Sequence, residues 1–545
     1  DRMGHATDPI ATPRRTPSMT MPSARTFEVA LSSLLVGPLS VGLGLAAGHL
    51  VAAAMTPSAS PLLAVGSAVI DRTPTPLKEW AIAHFGTHDK MILIDSVLLV
   101  VLFVSVLVGP LVRRAAPPVA ECFVIMLAAV PAVCAVRRPA ASPFDVVPSV
   151  SAAMVAVGSL TALRALGWAR PRRRPPAVGP EHGAGTAHLD ARPPSRRGVL
   201  IGAGVGGGGI VVLTGLGQWL ARLRSRAEDI VLPAPASTAG RFPVGIERMV
   251  DGVTPLRTTC GDFYRVDTRL DVPVIASADW SLHIDGDVHQ ELLLDFEQLL
   301  AMPLIERDIT LTCVSNSVGG PYVGGARWLG VRLTDLLDRA GVGDAADQIL
   351  STDVDGMTIS TPLGPATDGR DSMIAVGMNG AVLPREHGFP ARLIVPGLYG
   401  FIGATKWLTR MTLTTYASQD AYWTRRGWAT DAPIKISSRI DTPRALAGLR
   451  RGGVVVGGVA WAQESGGVRR VEVRVDGGSW QHAQLGPRVA GDYWRQWFWH
   501  WAATPGSHTL SCRAVDGAGE IQTAARANPF PSGSSGIHTV QVTVS

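Results

Sequence analysis

Charged residues and cysteines are scarce in this chain, and both shortages exclude classes of protein. Of its 545 residues, 17% are charged, against about 25% in a typical soluble protein, which disfavours a purely soluble protein. The five cysteines are too few for a disulfide scaffold, and without CxxC or CxxCH spacing they give no support to a zinc ribbon, a thioredoxin-like motif or a c-type haem. The 60 glycines and 40 prolines follow no period, which excludes a collagen-like repeat.

Long apolar runs fill the first half of the chain. Spanning a bilayer core takes about 20 apolar residues, and each run is close to that length. The fifth run is rich in glycine, so for that run a signal-like segment or a buried core helix stays open as an alternative. The sequence predicts a four-span transmembrane region over 27–168 and a fifth transmembrane helix over 198–221. The runs lie at 28–55, 91–112, 117–136, 147–168 and 198–220.

Arginines beside these runs predict the orientation of the spans. The net charge of +6 is mild, and clustering beside apolar runs is typical of membrane flanks rather than of a nucleic-acid surface, so we expect no nucleic-acid partner. Arg137 and Arg138 count against the orientation that the other clusters favour. That orientation predicts a multi-pass cell-membrane protein whose C-terminal half lies outside the cytoplasm. The cytoplasmic clusters are Arg14, Arg15 and Arg25; Arg113 and Arg114; and Arg170, Arg172, Arg173 and Arg174.

Two Pro- and Arg-containing segments predict flexible chain outside the spans. Residues 1–26 are interpreted as a disordered cytoplasmic tail and residues 169–197 as a linker. The pair Arg196-Arg197 before the fifth run fits a twin-arginine export signal and fits ordinary positive-inside flanking equally well. The chain begins with Asp1 and has Met3 close by, so the start codon stays open.

The second half of the chain predicts two folded domains. Over 240–430, short β-rich runs alternate with helical patterns such as DFEQLLA, which is typical of a mixed α+β domain. Over 431–545, runs that alternate apolar and polar residues are separated by glycine turns, which predicts a β-sandwich. The predicted fold class is therefore α+β, with transmembrane helices before it and an immunoglobulin-like sandwich after it.

Cys313 is the first candidate for chemistry. It ends the strand-like run 308–313 and opens a loop that ends in Gly319 and Gly320. A thiolate at a strand end can bind a soft metal, whereas a lone cysteine is also a common small core residue. His387, Arg392 and Lys406 lie in Gly-containing segments downstream; grouped cations of this kind suit a bound phosphate, although each could equally cap a turn, pair with a surface carboxylate or be solvated.

Several ordered blocks around these residues resemble the sulfite oxidase family of molybdopterin-dependent oxidoreductases, in a form with an N-terminal membrane region. The resemblance covers residues 255–545, and SRIDTP at 438–443 lies in what looks like the family's β-sandwich dimerisation domain. The other blocks are DFYRVDT at 262–268, TLTCVSNSVGG at 310–320, ARWLGVRLTDLL at 326–337, MNGAVLPREHGFPARLIVPGLYG at 378–400 and ATKWL at 404–408.

This resemblance implies an enzyme and a cofactor. The cofactor is Mo-molybdopterin, and the implied reaction is a two-electron oxygen-atom transfer on a small-molecule substrate. Cys313 corresponds to the catalytic cysteine that ligates molybdenum, and Arg265 to a pterin-site arginine. The cofactor-binding residues implied by the resemblance are Phe263, Tyr264, Arg265, Cys313, Asn316, Asp355, His387, Arg392, Thr405, Lys406 and Trp407.

The substrate pocket departs from the family pattern at two places. After the residue that matches Asn316 the family has two arginines, the second of which contacts the substrate anion, whereas this chain has Ser317 and Val318. Trp428 follows an Arg-Arg pair where the family has a pocket tyrosine. Each lost charge-assisted contact is worth about 1.5–3 kcal/mol. Sulfite is therefore disfavoured as the substrate, the direction of the reaction stays open, and the cofactor assignment stands.

Partners and competing functions complete the expectations. The spans contain one histidine, His49, where a membrane haem would need a pair, so a separate redox partner is expected to carry the electrons. The Trp-rich stretch 493–501 is a candidate contact surface or, by the favoured interpretation, sandwich packing. A homodimer through the sandwich is a further expectation. Two other functions stay open: a non-catalytic membrane receptor or scaffold that retains the fold, and a thiol hydrolase using Cys313 with His387.

Overall fold

A computed structural model describes residues 24–85, 88–114, 117–168, 196–224 and 229–545. The predicted tail over 1–26 and the predicted linker over 169–197 lie outside these ranges, except for residues 24–26 and 196–197, where helices begin. The chain divides into two compact units. The first comprises residues 1–66, 90–133 and 144–220, and the second comprises residues 67–89, 134–143 and 221–545.

Apolar helices build the first unit. Five helical segments are long and apolar enough to cross a membrane, and each lies within a few residues of a predicted run: 32–54, 89–112, 118–136, 143–165 and 197–221. Val36, Val108 and Leu160, from three different helices, are completely buried together. The described helices up to residue 224 are α1 Ala24–Ala54, α2 Pro61–Arg72, α3 Thr75–Phe85, α4 Asp89–Ser105, α5 Val108–Arg114, α6 Pro117–Val136, α7 Val147–Ala165 and α8 Arg196–Arg224.

An antiparallel sheet and a mixed sheet form the α+β part of the second unit, as predicted. One sheet has the strand order β3-β4-β7-β8, with β9 paired to β7, and the other has the order β2-β1-β10-β5-β6. The strands are β1 Ser281–Gly286, β2 Leu292–Asp295, β3 Leu304–Thr312, β4 Val323–Arg332, β5 Gln348–Asp353, β6 Thr358–Pro362, β7 Met373–Met378, β8 Ala381–Val382, β9 Arg392–Ile394 and β10 Leu408–Thr414. The helices are α9 Phe296–Leu300, α10 Leu333–Ala340, α11 Leu363–Thr367 and α12 Gly400–Gly403.

Local sequence explains the ends and faces of these short helices. Asp295 and Gln298 form a reciprocal capping box at the start of α9, which supplies partners for amides that the first helical turn leaves free. In α10, Leu333, Leu336, Leu337 and Ala340 are buried, and their spacing places them on one helix face. The same helix ends at a glycine in the left-handed conformation, the usual stop signal.

The last part of the second unit is a β-sandwich. Its two sheets have the orders β11-β13-β17-β16 and β12-β19-β18-β14-β15, and buried residues of both, including Val456, Val473 and Cys512, form one cluster. The assignment of this sandwich to the immunoglobulin-like class stays a prediction. The strands are β11 Ser437–Thr442, β12 Gly448–Leu449, β13 Gly452–Trp461, β14 Val468–Val475, β15 Gln481–His482, β16 Gln484–Leu485, β17 Arg495–Ala503, β18 Gly506–Asp516 and β19 His538–Val544.

The Trp-rich stretch joins the sandwich to the α+β part. Tyr493 and Trp494 are buried in the hydrophobic cluster of the α+β sheets, together with Trp461 of β13. The Tyr493 hydroxyl and the Trp494 indole both donate to the carbonyl oxygen of Leu256, at 2.9 and 2.7 Å. The packing interpretation of this stretch is confirmed, because Trp497 and Trp501 are buried in the separate cluster of the sandwich. Residues of both parts thus contribute to the α+β cluster.

Candidate active site around Cys313

Cys313 lies in the turn between two paired strands. β3 and β4 are antiparallel, with Thr312 opposite Val323, and the amide of Cys313 extends this ladder by donating to the Tyr322 carbonyl at 3.0 Å. The chain then turns, because the Asn316 amide donates back to the Cys313 carbonyl at 3.0 Å. We call residues 313–320 the Cys313 loop. A strand end and a closed turn therefore fix the backbone at the cysteine.

The Cys313 thiol is buried but has polar neighbours. Its side chain is 8% exposed, and burial raises the pKa of the thiol, while hydrogen bonds from the Ser315 amide and hydroxyl and the positive charge of Lys406 act in the opposite direction. Such donors stabilise a thiolate over a thiol. The site is therefore prepared to hold a negatively charged sulfur once a positive partner compensates its burial.

Three of the chain's six tyrosines surround this sulfur. Burial raises the pKa of Tyr264, Tyr322 and Tyr399, and the charge of Cys313 raises each of them further. For Tyr399 the pKa rises to about 12. All three hydroxyls therefore stay protonated at neutral pH and can donate hydrogen bonds near Cys313. The sequence pattern singled out Tyr264 alone among them.

Two buried cations, Arg392 and Lys406, lie side by side across a glycine. Gly388 has a φ of +116°, and a Cβ atom there would meet the Arg392 and Lys406 side chains at 3.1 Å, so glycine is needed for their approach. Arg392 is 5% exposed; it donates to the His387 carbonyl at 3.0 Å, yet its Nε has no hydrogen-bond partner among the described residues. A buried guanidinium nitrogen without a partner is costly, and it marks a place for an acceptor.

Burial weakens the protonated forms of the neighbouring bases. The pKa of Lys406 is lowered to about 8 by burial, against the opposing charge of Asp267, and that of Arg392 is lowered to about 10, again by burial. His387 is 4% exposed, its Nε2 is 2.7 Å from the Cys260 carbonyl, and burial lowers its pKa to about 4. His387 is therefore a neutral donor, and the positive charge resides on Arg392 and Lys406.

Alternating charges follow Tyr264 along the chain. Arg265 donates to Asp267 at 2.8 Å, and Lys406 contacts the same carboxylate at 2.6 Å. Arg269 is 9% exposed; it contacts Asp353 at 3.5 Å and also pairs with Asp355. Asp267, Arg269 and Asp353 were missed by sequence reasoning. The regular Arg-x-Asp alternation over 265–271 was a signal for the first two, whereas Asp353 lies outside it.

The remaining predicted residues make hydrogen bonds and ring contacts to other protein groups at the site. The Asn316 side chain accepts the Tyr322 amide at 2.9 Å, and the Thr405 hydroxyl lies 2.6 Å from that of Ser351. The Trp407 indole donates to the Arg385 carbonyl at 2.8 Å. Phe263 stacks on Tyr264, with ring centroids 5.2 Å apart. In the structure these contacts join protein to protein, so their part in cofactor binding stays a prediction.

Trp428 lies in an aromatic group rather than against the thiol. Its ring centre is 5.5 Å from Phe401 and 5.2 Å from Phe530, and Phe401 belongs to α12, next to Tyr399. The Trp428 indole nitrogen is buried without a hydrogen-bond partner in the described part of the chain. Its role in a substrate pocket stays a prediction.

Comparisons with known proteins agree with this arrangement. Residues 269–423 match the family described as "Oxidoreductase molybdopterin binding domain". The mitochondrial sulfite oxidase of Homo sapiens is 30% identical over 345 residues, which are 54% of this chain and 63% of that protein. The "Uncharacterized oxidoreductase YuiH" of Bacillus subtilis is 33% identical over 149 residues, 27% of this chain and 72% of that protein.

A solved structure is also similar. The sulfane dehydrogenase SoxCD from Paracoccus pantotrophus aligns with a TM-score of 0.47 at 24% identity, covering 55% of this chain and 83% of that chain. The site and the matched residues together define a molybdopterin-binding oxidoreductase domain. The chain belongs to the sulfite oxidase family. It spans about 60% of the length of the mitochondrial sulfite oxidases that it matches.

The residues present fit the cofactor that this family implies, Mo-molybdopterin. Its phosphate is an anion, and Arg392, with an unpaired buried Nε, and Lys406 beside it are the donors that such a group requires. Its metal takes a soft ligand, and Cys313 supplies a sulfur at the end of β3. The donor set therefore includes cations that could hold a phosphate and a sulfur that could hold a metal.

Proposed function

We propose that this protein is a membrane-anchored molybdenum oxidoreductase, in which Cys313 ligates molybdenum at a site outside the cytoplasmic membrane. The observation that carries the proposal is the buried Cys313 sulfur at the end of β3, where burial raises the pKa of the thiol and the Ser315 donors and the charge of Lys406 oppose that rise. When bound, the cofactor supplies two-electron oxidation and reduction coupled to oxygen-atom transfer. The chain's own contribution is ligation, orientation and hydrogen bonding.

Each group in the cluster has a separate task. Arg392 and Lys406 would hold the cofactor phosphate, and Asp267 would keep Lys406 in place through their 2.6 Å contact. The backbone at Cys313, fixed by its bond to Tyr322, would direct the sulfur to the metal. The hydroxyls of Tyr264 and Tyr399 would donate hydrogen bonds to oxygen atoms of the substrate or cofactor, because their pKa values keep them protonated.

The substrate is proposed to be a small molecule other than sulfite. Val318 and Ser317 stand at the positions where the family carries arginines, and both line a small cavity beside the Cys313 loop. The residues around this cavity are uncharged, including Asn316, Ser438 and Ser534. An anion gains no ion pair from such a lining, which favours uncharged oxygen donors or acceptors such as sulfoxides and N-oxides.

The proposed topology has support from within the second unit. Residues 67–89 and 134–143 belong to the same compact unit as the α+β domain. They overlap the segments between the first and second spans and between the third and fourth spans. With five spans, both segments would lie on the same side of the membrane as the domain. Burial raises the pKa of Asp271, and the charge of Arg138, which counted against the positive-inside assignment, is one of the smaller influences that oppose this rise. Attraction between these two charges outside the cytoplasm would explain this exception to the rule.

A second contact of the same kind involves Asp71. The Tyr422 hydroxyl donates to Asp71 at 3.0 Å, and Arg426 donates to the Asp71 carbonyl at 3.3 Å.

Reporter fusions test the topology: alkaline phosphatase joined after residue 85, 142 or 224 is expected to be active, and after residue 114 or 168 inactive. The reverse pattern would contradict the extracytoplasmic assignment. A separate redox partner and a homodimer through the sandwich belong to the same proposal.

Metal analysis tests the central claim. The full chain, purified from a host that makes molybdopterin, is expected to contain about one molybdenum per chain, and Cys313→Ser to lose it. Cys260→Ser is the matched control, because the carbonyl of Cys260 rather than its thiol contacts His387. X-ray absorption at the molybdenum edge of the wild type should include a thiolate from the protein. A folded chain without molybdenum would instead favour the receptor or scaffold function.

The thiol hydrolase has less support. A cysteine hydrolase needs a histidine that can take the thiol proton, but the Nε2 of His387 is bound to the Cys260 carbonyl and the pKa of this histidine is about 4. Covalent labelling of Cys313 by acyl substrates, with no effect of molybdate, would restore that alternative.

A further inference from the structure

The Cys313 loop is held by the C-terminal sandwich as well as by the domain that carries it. Ser534 donates its hydroxyl to the Asn316 carbonyl at 2.5 Å. Arg439 of β11 donates to the Gly320 carbonyl at 2.8 Å. Two backbone oxygens of the loop therefore depend on side chains more than 100 residues away in sequence.

A third contact is steric. Gly319 has a φ of +80°, and a Cβ atom there would lie 2.2 Å from Nε2 of His538, so the imidazole packs directly on the loop backbone. The His538 Nδ1 accepts the Ile440 amide at 3.0 Å, which fixes the ring in place. Only glycine accommodates both this φ and this close approach.

The sandwich groups that touch the loop are themselves anchored. Arg439 also donates to Asp441 at 2.6 Å and to Thr254 at 2.8 Å. The Gln522 side chain donates to the Gly536 carbonyl at 2.8 Å, and the backbones of Ala527 and Ser535 exchange two hydrogen bonds. The segment that carries Ser534 is thus tied back to the sandwich and can act as a fixed support.

We propose that the sandwich positions Cys313, and that Ser534 and Arg439 are positioning residues that act through the Cys313 loop. The loop contains Ser315, whose amide and hydroxyl donate to the Cys313 sulfur. Asn316, which Ser534 holds, follows Ser315 directly, and Gly320, which Arg439 holds, ends the same loop. Releasing the loop would move these donors and widen the range of directions in which the sulfur points. The inference deepens the proposed function, but its thiol readout does not require a bound cofactor.

Thiol labelling of the cofactor-free full chain tests this role. The chain is made in a host without molybdopterin synthesis, and alkylation of each cysteine by iodoacetamide is followed by peptide mass spectrometry. Ser534→Ala is expected to raise the labelling rate of Cys313 about tenfold. This factor corresponds to roughly 1.4 kcal/mol, the free energy of the one hydrogen bond that is lost. Ser534→Thr, which keeps a hydroxyl, is expected to restore the slow rate. Arg439→Gln provides a second, independent release of the loop.

Two internal controls separate positioning from unfolding. Ser535→Ala removes a neighbouring hydroxyl that donates to Ala525 within the sandwich, and it should leave Cys313 unchanged. Cys512 is completely buried in the sandwich core, so its labelling reports on unfolding of the sandwich. Unchanged Cys313 labelling in both Ser534→Ala and Arg439→Gln would overturn the proposal, as would an equal rise at Cys313 and Cys512.

The cofactor-loaded chain supplies a second readout. In Ser534→Ala the visible absorption of the molybdenum–thiolate bond is expected to shift or broaden at unchanged molybdenum content, while Ser535→Ala matches the wild type. If the wild type binds no molybdenum, the proposed function fails, but the labelling result still decides whether the sandwich positions the loop.

Discussion

Lys406 Nζ lies 2.6 Å from Asp267 Oδ2, and Arg265 Nε lies 2.8 Å from the same oxygen. One carboxylate thus serves two cations, and the neighbouring Arg392 has backbone carbonyls as its hydrogen-bond partners. The cluster has more positive than negative charge in a buried place. Such an excess is tolerated when a ligand supplies the missing negative charge, which is the physical basis for assigning a phosphate-bearing cofactor to it.

Removing either cation should reduce cofactor retention. For Arg392→Ala and Lys406→Ala we expect molybdopterin content after gel filtration to fall by about tenfold or more, since a charge-assisted hydrogen bond is worth about 1.5–3 kcal/mol. Arg410→Ala is the control, because Arg410 is 52% exposed and pairs with Asp285 away from the cluster. Unchanged molybdopterin in both variants would defeat the phosphate assignment.

Arg269 should be important for stability as well as for the site. It is the shared partner of Asp353 and Asp355, and Arg269→Met would leave these carboxylates uncompensated, at a cost of about 3–5 kcal/mol. In the cofactor-free chain this predicts a fall in Tm of roughly 10 °C at a fixed scan rate. Arg470→Met removes a partly exposed arginine from Glu472, which retains Arg513, and it should cost less than about 1 kcal/mol; equal effects would refute the assignment.

His538 should make the protein less stable in acid. Burial is the main cause that lowers its pKa to about 4, whereas the unfolded chain titrates near 6.5. Below pH 6.5 the unfolded state takes up a proton that the folded state does not, so stability falls as the pH drops from 6.5 to 4, by about 3 kcal/mol in total. The difference in Tm between wild type and His538→Gln should therefore shrink from pH 7 to pH 5.

The control for this titration is His508. Its hydrogen bond to Asp476 raises its pKa, so any stability that it contributes is present at low pH and is lost as the pH rises through its pKa. His508→Gln should change the Tm difference in the opposite direction, and only slightly because its partner Asp476 is half-exposed. A pH-independent difference for His538→Gln would show that folding does not lower the pKa of His538.

Charge at position 318 should change the substrate preference. Val318→Arg adds to the cavity a guanidinium where the family has one, and kcat/KM for sulfite with a dye acceptor is expected to rise roughly 10- to 100-fold. Ser317→Arg places the same charge one residue earlier and is the matched control. A wild-type chain that already oxidises sulfite faster than Val318→Arg would contradict the proposed uncharged substrate.

Much of the architecture was accessible from sequence because periodicity and length determine it. The five apolar runs predicted the candidate spans to within a few residues, and the change of pattern near 431 predicted the sandwich. The sequence correctly predicted that Cys313 lies at the end of a strand. The residues before it alternate between polar and apolar side chains, as in a β-strand, and glycines follow it. The cations of the site were found as a set through their resemblance to the family.

The unpredicted features all depend on tertiary contacts. Arg269 meets Asp353 across 84 residues of sequence, and Ser534 meets Asn316 across 218. Periodicity relates residues that are close together in the sequence, so it cannot predict contacts between residues so far apart. Asn316 illustrates the limit: the family pattern marked it for the cofactor, while in the fold its side chain closes the turn by accepting the Tyr322 amide.

The shared core around Leu256 has a consequence for how this protein can be divided or exchanged. Trp461, Tyr493 and Trp494 are counted in the sandwich by sequence but fill the interior of the sheets that carry Cys313. A fragment ending at residue 430 would leave a cavity where the side chains of Trp461, Tyr493 and Trp494 pack, and an exchanged sandwich would have to supply side chains that fill the same space. We therefore expect that the α+β part and the sandwich were inherited together and were not exchanged separately by recombination.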